Sequence, residues 1–110
     1  MTLDEYQKEA LVTAVWSGDD FKDLSHWVFG IAGESGEIAE KIKKIIRDHD
    51  GVLSDEAKQE IIKEMGDVLW YLAVLAEHLG YKFDQVGRTN IKKLRDRQAR
   101  NKIQGSGDNR

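Results

Sequence analysis

Apolar residues recur along the chain at three- and four-residue intervals, while the strict alternation of a half-buried strand is scarce, so the pattern predicts helices throughout. Thr2 and Glu5 have capping-box spacing. Leu3, Tyr6, Ala10, Leu11 and Ala14 then follow at helical intervals up to Trp16, and Ser17, Gly18 and Asp19 supply the stop. A second helix is expected from Asp20 or Asp23 to about Arg47, its stripe formed by Leu24, Trp27, Val28, Ile31, Ile38, Ile42, Ile45 and Ile46. Ser54 is a good N-cap for a third helix. It is expected to run to Leu79 with Gly80 as its terminator, and its stripe takes in Ile61, Met65, Val68, Leu69, Leu72, Leu75, Ala76 and Leu79. A fourth should begin near Asp84 and continue through Asn101, with Val86 and Leu94 facing inward.

The stretch from Val68 to Ala76, VLWYLAVLA, is apolar or aromatic on every side yet far shorter than the ~20 residues a bilayer span needs. Such a segment must be covered on two sides, and four helices in one chain cannot do this fully. The expected architecture is therefore an all-α four-helix bundle completed by oligomerisation. With 110 residues, no proline and 40% apolar content, the chain suits a single domain over residues 1–104 followed by a glycine-rich polar tail, 105–110. Taken alone, that tail reads as frayed. Cysteine is absent, which rules out disulfides and thiolate metal sites, and the polar N-terminus lacks an apolar signal region, so a cytoplasmic location without membrane attachment is the expectation.

The net charge of −3 hides an asymmetry. Between Glu34 and Asp67 there are ten acidic against six basic residues, whereas between Lys82 and Lys102 there are two acidic against eight basic. That arrangement suits a ligand bringing both a metal and phosphates, though two differently charged solvated helix faces would look the same.

The acidic half carries a duplicated pattern. ESGEI at Glu34 and EMGDV at Glu64 share acid, any residue, glycine, acid and β-branched aliphatic, thirty positions apart on two predicted helices. At about 100° per residue, Glu34 and Glu37 occupy the same angular offsets on one stripe as Glu64 and Asp67 on the other. Antiparallel packing through the stripes would bring four carboxylates to one seam, where only a cation could hold them together without forced protonation. Hard oxygen ligands with no cysteine nearby suit Mg2+, or Mn2+. The competing account is a solvated edge satisfied by Glu37 to Lys41 and Glu40 to Lys44 pairs, and Glu40 fits it. Glycine inside a helix costs about 1 kcal/mol relative to alanine, so Gly36 and Gly66 ask for a close approach by a helix or a ligand.

On the basic helix, Asn90, Lys93, Leu94 and Arg97 share a face from which an amide and two cations could reach a polyphosphate held by the metal. Trp16, beside the Gly18 turn, is the best candidate for stacking on a base. Trp27, Phe29 and Trp70 read as core. Nucleic-acid or protein binding through the basic helix 84–102, without catalysis, is the second reading, but the acidic chain shows no nucleic-acid motif.

GIAGESGEIAEKIKK, KEMGDVLWYLAVLAEHLG and NIKKLRDR together resemble the MazG-like branch of the all-α nucleoside triphosphate pyrophosphohydrolases, which includes dCTP pyrophosphatases and dimeric dUTPases. The resemblance covers nearly the whole chain. It implies cleavage of a nucleoside triphosphate, a deoxynucleotide or non-standard nucleotide, between the α and β phosphates, giving a monophosphate and pyrophosphate. By motif position Glu34, Glu37, Glu64 and Asp67 would be the Mg2+ ligands and Tyr71 would flank the nucleotide. Asn90, Lys93 and Arg97 match the phosphate-contacting helix. The general base is left open among the acids: Glu37 is the first choice, and Glu64 is also counted as catalytic. Family members assemble as dimers or tetramers. Two departures stand out: Gly33 occupies the place of a further glutamate, which bears on the metal count, and Gln98 follows Arg97 where a tyrosine is common.

Overall fold

A computed structural model describes residues 1–110 and contains four helices and no strand: α1 (Leu3–Leu11), α2 (Asp20–His49), α3 (Asp55–His78) and α4 (Phe83–Ala99). Three of them start on a side-chain cap. Thr2 Oγ1 accepts from the Glu5 N–H at 3.0 Å while Glu5 accepts from the Thr2 N–H at 3.2 Å, so the expected capping box is present. Asp19 and Ser54 cap α2 and α3 through the N–H groups of Lys22 and Ala57.

The fourth helix has no cap of its own. Its first N–H groups are satisfied by side chains of α1 instead: Phe83 N–H donates to Gln7 Oε1 at 3.0 Å and Asp84 N–H to Asp4 Oδ1 at 2.8 Å, while Asp4 N–H returns a bond to Asp84 at 3.2 Å. Gln7 is buried, and its amide nitrogen also donates to the carbonyls of Ala73 and Tyr81 at 3.2 and 3.1 Å. One side chain therefore ties α1 to α3 and to the turn before α4, with every polar atom paired.

The first helix stops at Leu11, earlier than Trp16. Thr13 folds its hydroxyl back onto the Ala10 carbonyl at 3.0 Å, and Trp70 Nε1 donates to that carbonyl and to Thr13 Oγ1 at 3.1 and 2.9 Å. A tertiary donor thus takes the acceptor that a further helical turn would have used.

The long helices α2 and α3 form a hairpin; α1 packs on α3 and α4, and α4 on α3, but α4 does not touch α2. Ala10, Ala73, Ala76 and Phe83 make a small core, with Tyr6, Leu69 and Trp70 around it. Trp27, 2% exposed, fills the space between α2 and α3. Of α4 it is Phe83 and Arg97 that are buried, whereas Val86 and Leu94, expected inward, are largely exposed, as is Phe29 at 72%. The apolar faces of α2 and α3 are incompletely covered: Ile46, Ile62, Met65 and Leu79 are all exposed. A radius of gyration of 16.9 Å reflects this openness, since a compact domain of about this length has ~13 Å.

At Gly30 of α2 the Tyr71 ring of α3 lies directly on the helix backbone, where a Cβ would overlap it. Gly36 and Gly66 border open space within the chain, so no helix of the same subunit explains them. Gly30→Ala should destabilise the fold by about 1–3 kcal/mol through overpacking, whereas Gly36→Ala or Gly66→Ala should stabilise an isolated subunit by up to about 1 kcal/mol. Thermal unfolding of the three variants checks the contrast, and a loss at Gly36 or Gly66 would point to a neighbour packed over them.

Candidate metal centre

One turn beyond Gly30 on α2 lies Glu34, and one turn before Tyr71 on α3 lies Asp67. The close contact therefore sets the two acids against each other across the hairpin. Glu64, a turn earlier on α3, completes a group of three. One carboxylate oxygen from each of Glu34, Glu64 and Asp67 lies within 4.8 Å of the others, with Glu34 and Glu64 half-buried and Asp67 exposed. Glu37 remains outside this group on the exposed side of α2. The structure gathers three of the four proposed ligands and leaves the fourth beside them.

Electrostatics agree with that geometry. Desolvation first, then repulsion from Asp67, a hydrogen bond shared with Glu64 and the charges of Glu64 and Glu37, all raise the pKa of Glu34 above its ordinary value. Tyr6 is raised too, first by burial and then by the charge of Asp67, which brings α1 to the edge of the cluster. The one cation paired with the cluster is Lys41, whose Nζ lies 3.4 Å from Glu64 Oε1. The expected Glu37 to Lys41 pair does not form, because Lys41 crosses the hairpin to α3. Glu40 takes Lys43 at 2.8 Å instead of Lys44, in keeping with a surface role. Three oxygens converging on a point with a single lysine at one side are a fitting donor set for a hard divalent cation. Neither Tyr6 nor Lys41 belongs to the duplicated motif; for Lys41 the signal is its register opposite Glu64, visible only once the helices are paired.

The other proposed site residues are more dispersed. Tyr71 lies against Gly30, with its ring 6.2 Å from His26 and 5.0 Å from Trp70. Trp16 stacks on His78 at 5.6 Å and meets Trp27 edge-on at 5.2 Å. His78 is eleven residues beyond Asp67 on α3, about 16 Å along the axis at 1.5 Å per residue, so Trp16 stands at the far end of an aromatic row that begins at Tyr71. That row is locked by a histidine of fixed tautomer: Trp27 Nε1–H donates to His78 Nδ1 at 3.1 Å, leaving Nε2–H to donate to Asp20 at 2.9 Å.

On α4, Asn90 is exposed, but Lys93 and Arg97 are engaged by the C-terminal segment, which is folded rather than frayed. Asp108 lies 3.1 Å from Lys93 Nζ and 3.6 Å from Arg97, and these cations hold its carboxyl below the usual range, Lys93 first. Arg97, 4% exposed, also donates to the carbonyls of Asp108 and Gly107. Gly105 and Gly107 turn the chain at positive φ, and Arg110 closes the loop on the carbonyls of Lys102, Ile103 and Gly107.

The chain is all-helical, and acidic residues of two of its helices face one another across a hairpin. Residues 24–100 match the MazG nucleotide pyrophosphohydrolase domain, and the chain belongs to that family. It is 46% identical over 114 residues, covering all of both chains, to the Gene 37 protein of Mycobacterium phage L5. No solved structure matches it. No helix is long and apolar enough to cross a membrane.

The raised pKa of Glu34 carries a sign for stability. An unfolded glutamate titrates at about 4.3, so between that value and the higher folded one the native chain holds the extra proton, and stability falls as pH rises through the window. Glu34→Gln should remove this part of the slope and raise the melting temperature of metal-free protein at neutral pH relative to wild type. Melting curves from acidic to neutral pH, with chelator present, test it; a variant that melts lower than wild type at neutral pH would contradict the repulsion.

Proposed function

We propose that the chain is a metal-dependent nucleoside triphosphate pyrophosphohydrolase that cleaves a deoxynucleotide or non-standard nucleotide between the α and β phosphates, releasing a monophosphate and pyrophosphate. The observation that carries this reading is the convergence of Glu34, Glu64 and Asp67 in a chain of the MazG family. Those three residues would hold Mg2+, or Mn2+, with Glu37, whose charge is felt at Glu34, acting from the side. Bound there, the ion would offset phosphate charge and lower the pKa of a water.

The remaining steps belong to the chain's own groups. Glu37, exposed and without an ion pair, would take the proton of the attacking water as the new P–O bond forms and the α–β anhydride breaks. Glu64 is both a ligand and, through Lys41, the link between the cluster and its cationic border. Tyr71, which lies against Gly30 one turn from Asp67, would flank the nucleotide. Asn90 is exposed, but for Lys93 and Arg97 to contact phosphate, Asp108 has to give way. The same engagement takes Lys93 and Arg97, and the pair with Asp96 takes Arg100, out of the cations that a non-catalytic nucleic-acid module on α4 could use.

The exposed apolar faces of α2 and α3 support a homodimer or homotetramer. Analytical ultracentrifugation should return two or four times the 12.5 kDa subunit mass; a monomer at micromolar concentration would refute it. A panel of ordinary and modified nucleotides should release pyrophosphate with Mg2+. Glu37→Gln should then lower kcat by about 10²–10⁴-fold, the range for loss of a general base. Glu64→Gln and Asp67→Asn should abolish metal binding and turnover with the helical content retained. Failure of the whole panel with both Mg2+ and Mn2+ would end the reading.

A further inference from the structure

A cavity of about 590 Å³ opens at the α2–α3 turn end of the hairpin, and Lys41, the ion-pair partner of Glu64, is one of its lining residues. Lys41, Lys44, Ile45 and His49 of α2, Asp50 at its C-cap and Glu60 of α3 are among the residues that line it. Lys41 belongs to both places, because the same ammonium group that lines the cavity reaches Glu64. Lys44 has no ion pair, since Glu40 is taken by Lys43. The charge of Glu60 is met from outside by Lys63 at 2.8 Å. Two lysines at i and i+3, with Cβ atoms about 5–6 Å apart, thus present uncommitted or exchangeable positive charge to a space joined to the carboxylate cluster through Lys41.

We propose that Lys41 and Lys44 form the subsite for a diphosphate group, taking the β and γ phosphates of the substrate and the pyrophosphate product in the cavity that both line. This rests on the pyrophosphohydrolase reading, in which the group leaving the cluster carries several negative charges and needs cations beyond the metal ligands. Lys41 does double service. In the metal-free chain it is the counter-charge of Glu64, and with Glu64 engaged in holding a cation its ammonium group would be free to contact the phosphates. The cations of α4 are unsuited to this place within one chain, as α4 does not touch α2 and Asp108 holds Lys93 and Arg97.

The exchange predicts effects of opposite sign from one substitution. In calorimetric titrations of the full-length protein, Lys41→Met should bind Mg2+ alone roughly two- to fivefold more tightly, since a competing ion pair of modest strength is gone. With Mg2+ saturating, Lys41→Met and Lys44→Met should each bind inorganic pyrophosphate about tenfold or more weakly, the loss expected for a charge-assisted hydrogen bond. Lys43→Met, on the exposed side, should match wild type, and Lys41→Arg should recover pyrophosphate binding. Unchanged pyrophosphate affinity in both methionine variants, or a loss found only in Lys93→Met, overturns the proposal while leaving the hydrolase reading intact. A wild-type protein that turns over no nucleotide defeats the hydrolase reading, whereas the titrations decide the subsite without requiring turnover.

Discussion

The contact between Gly30 and the Tyr71 ring sets the register of the α2–α3 hairpin. An aromatic ring can lie on a helix backbone only where no Cβ intervenes, and once it does so, neither helix can slide by a turn without collision. Helical periodicity then carries the alignment outward. Glu34 meets Asp67 one turn away, Glu64 falls in behind, and Lys41 arrives opposite Glu64. On the other side of the contact, Trp27 meets Trp70 and His78. The acids do not choose one another, since they repel. They are held together by packing among residues that carry no charge.

That arrangement stores electrostatic conflict in a place where water can only partly relieve it. Glu34 answers by holding its proton more firmly, and Lys41 answers by reaching across the hairpin. A small core and exposed apolar flanks mean that the surrounding scaffold has limited stability to spare. A ligand that settles the conflict should therefore also firm up the hairpin, by ordinary linkage between binding and folding. The free chain is a receptive state of the fold rather than its most stable one.

Much of this was readable from residue spacing. Four helices, the caps at Thr2 and Ser54, and the duplicated acid-x-Gly-acid motif all follow from local chemistry, whereas α2, expected from Asp20 or Asp23, starts at Asp20 with Asp19, read as part of the preceding stop, as its cap. What spacing could not reveal depends on partners distant in sequence. The end of α1 is decided by a tryptophan sixty residues on, which claims the Ala10 carbonyl. The start of α4 is decided by side chains from the first turns of the chain. Angular position alone placed Glu37 with Glu34, but the helices meet on a narrower line than the full acidic edge, so Glu37 stays outside. The cations of α4 were correctly seen to share a face, yet a carboxylate eleven residues beyond Arg97 occupies it.

Gln7 has a consequence for how the chain reaches its fold. Its three hydrogen bonds span 66, 74 and 76 residues of sequence, whereas the α2–α3 hairpin is closed by a short local turn. Loop closure on that scale is entropically unfavourable until the hairpin and the Tyr81 turn already exist to receive the amide. Docking of α1 is then a late event in folding, and it is all-or-none: a partly docked α1 would leave the Phe83 N–H and the Gln7 amide buried without partners. The first helix, which supplies none of the three clustered carboxylates, is thereby made the clasp through which both ends of the chain become cooperative with its middle.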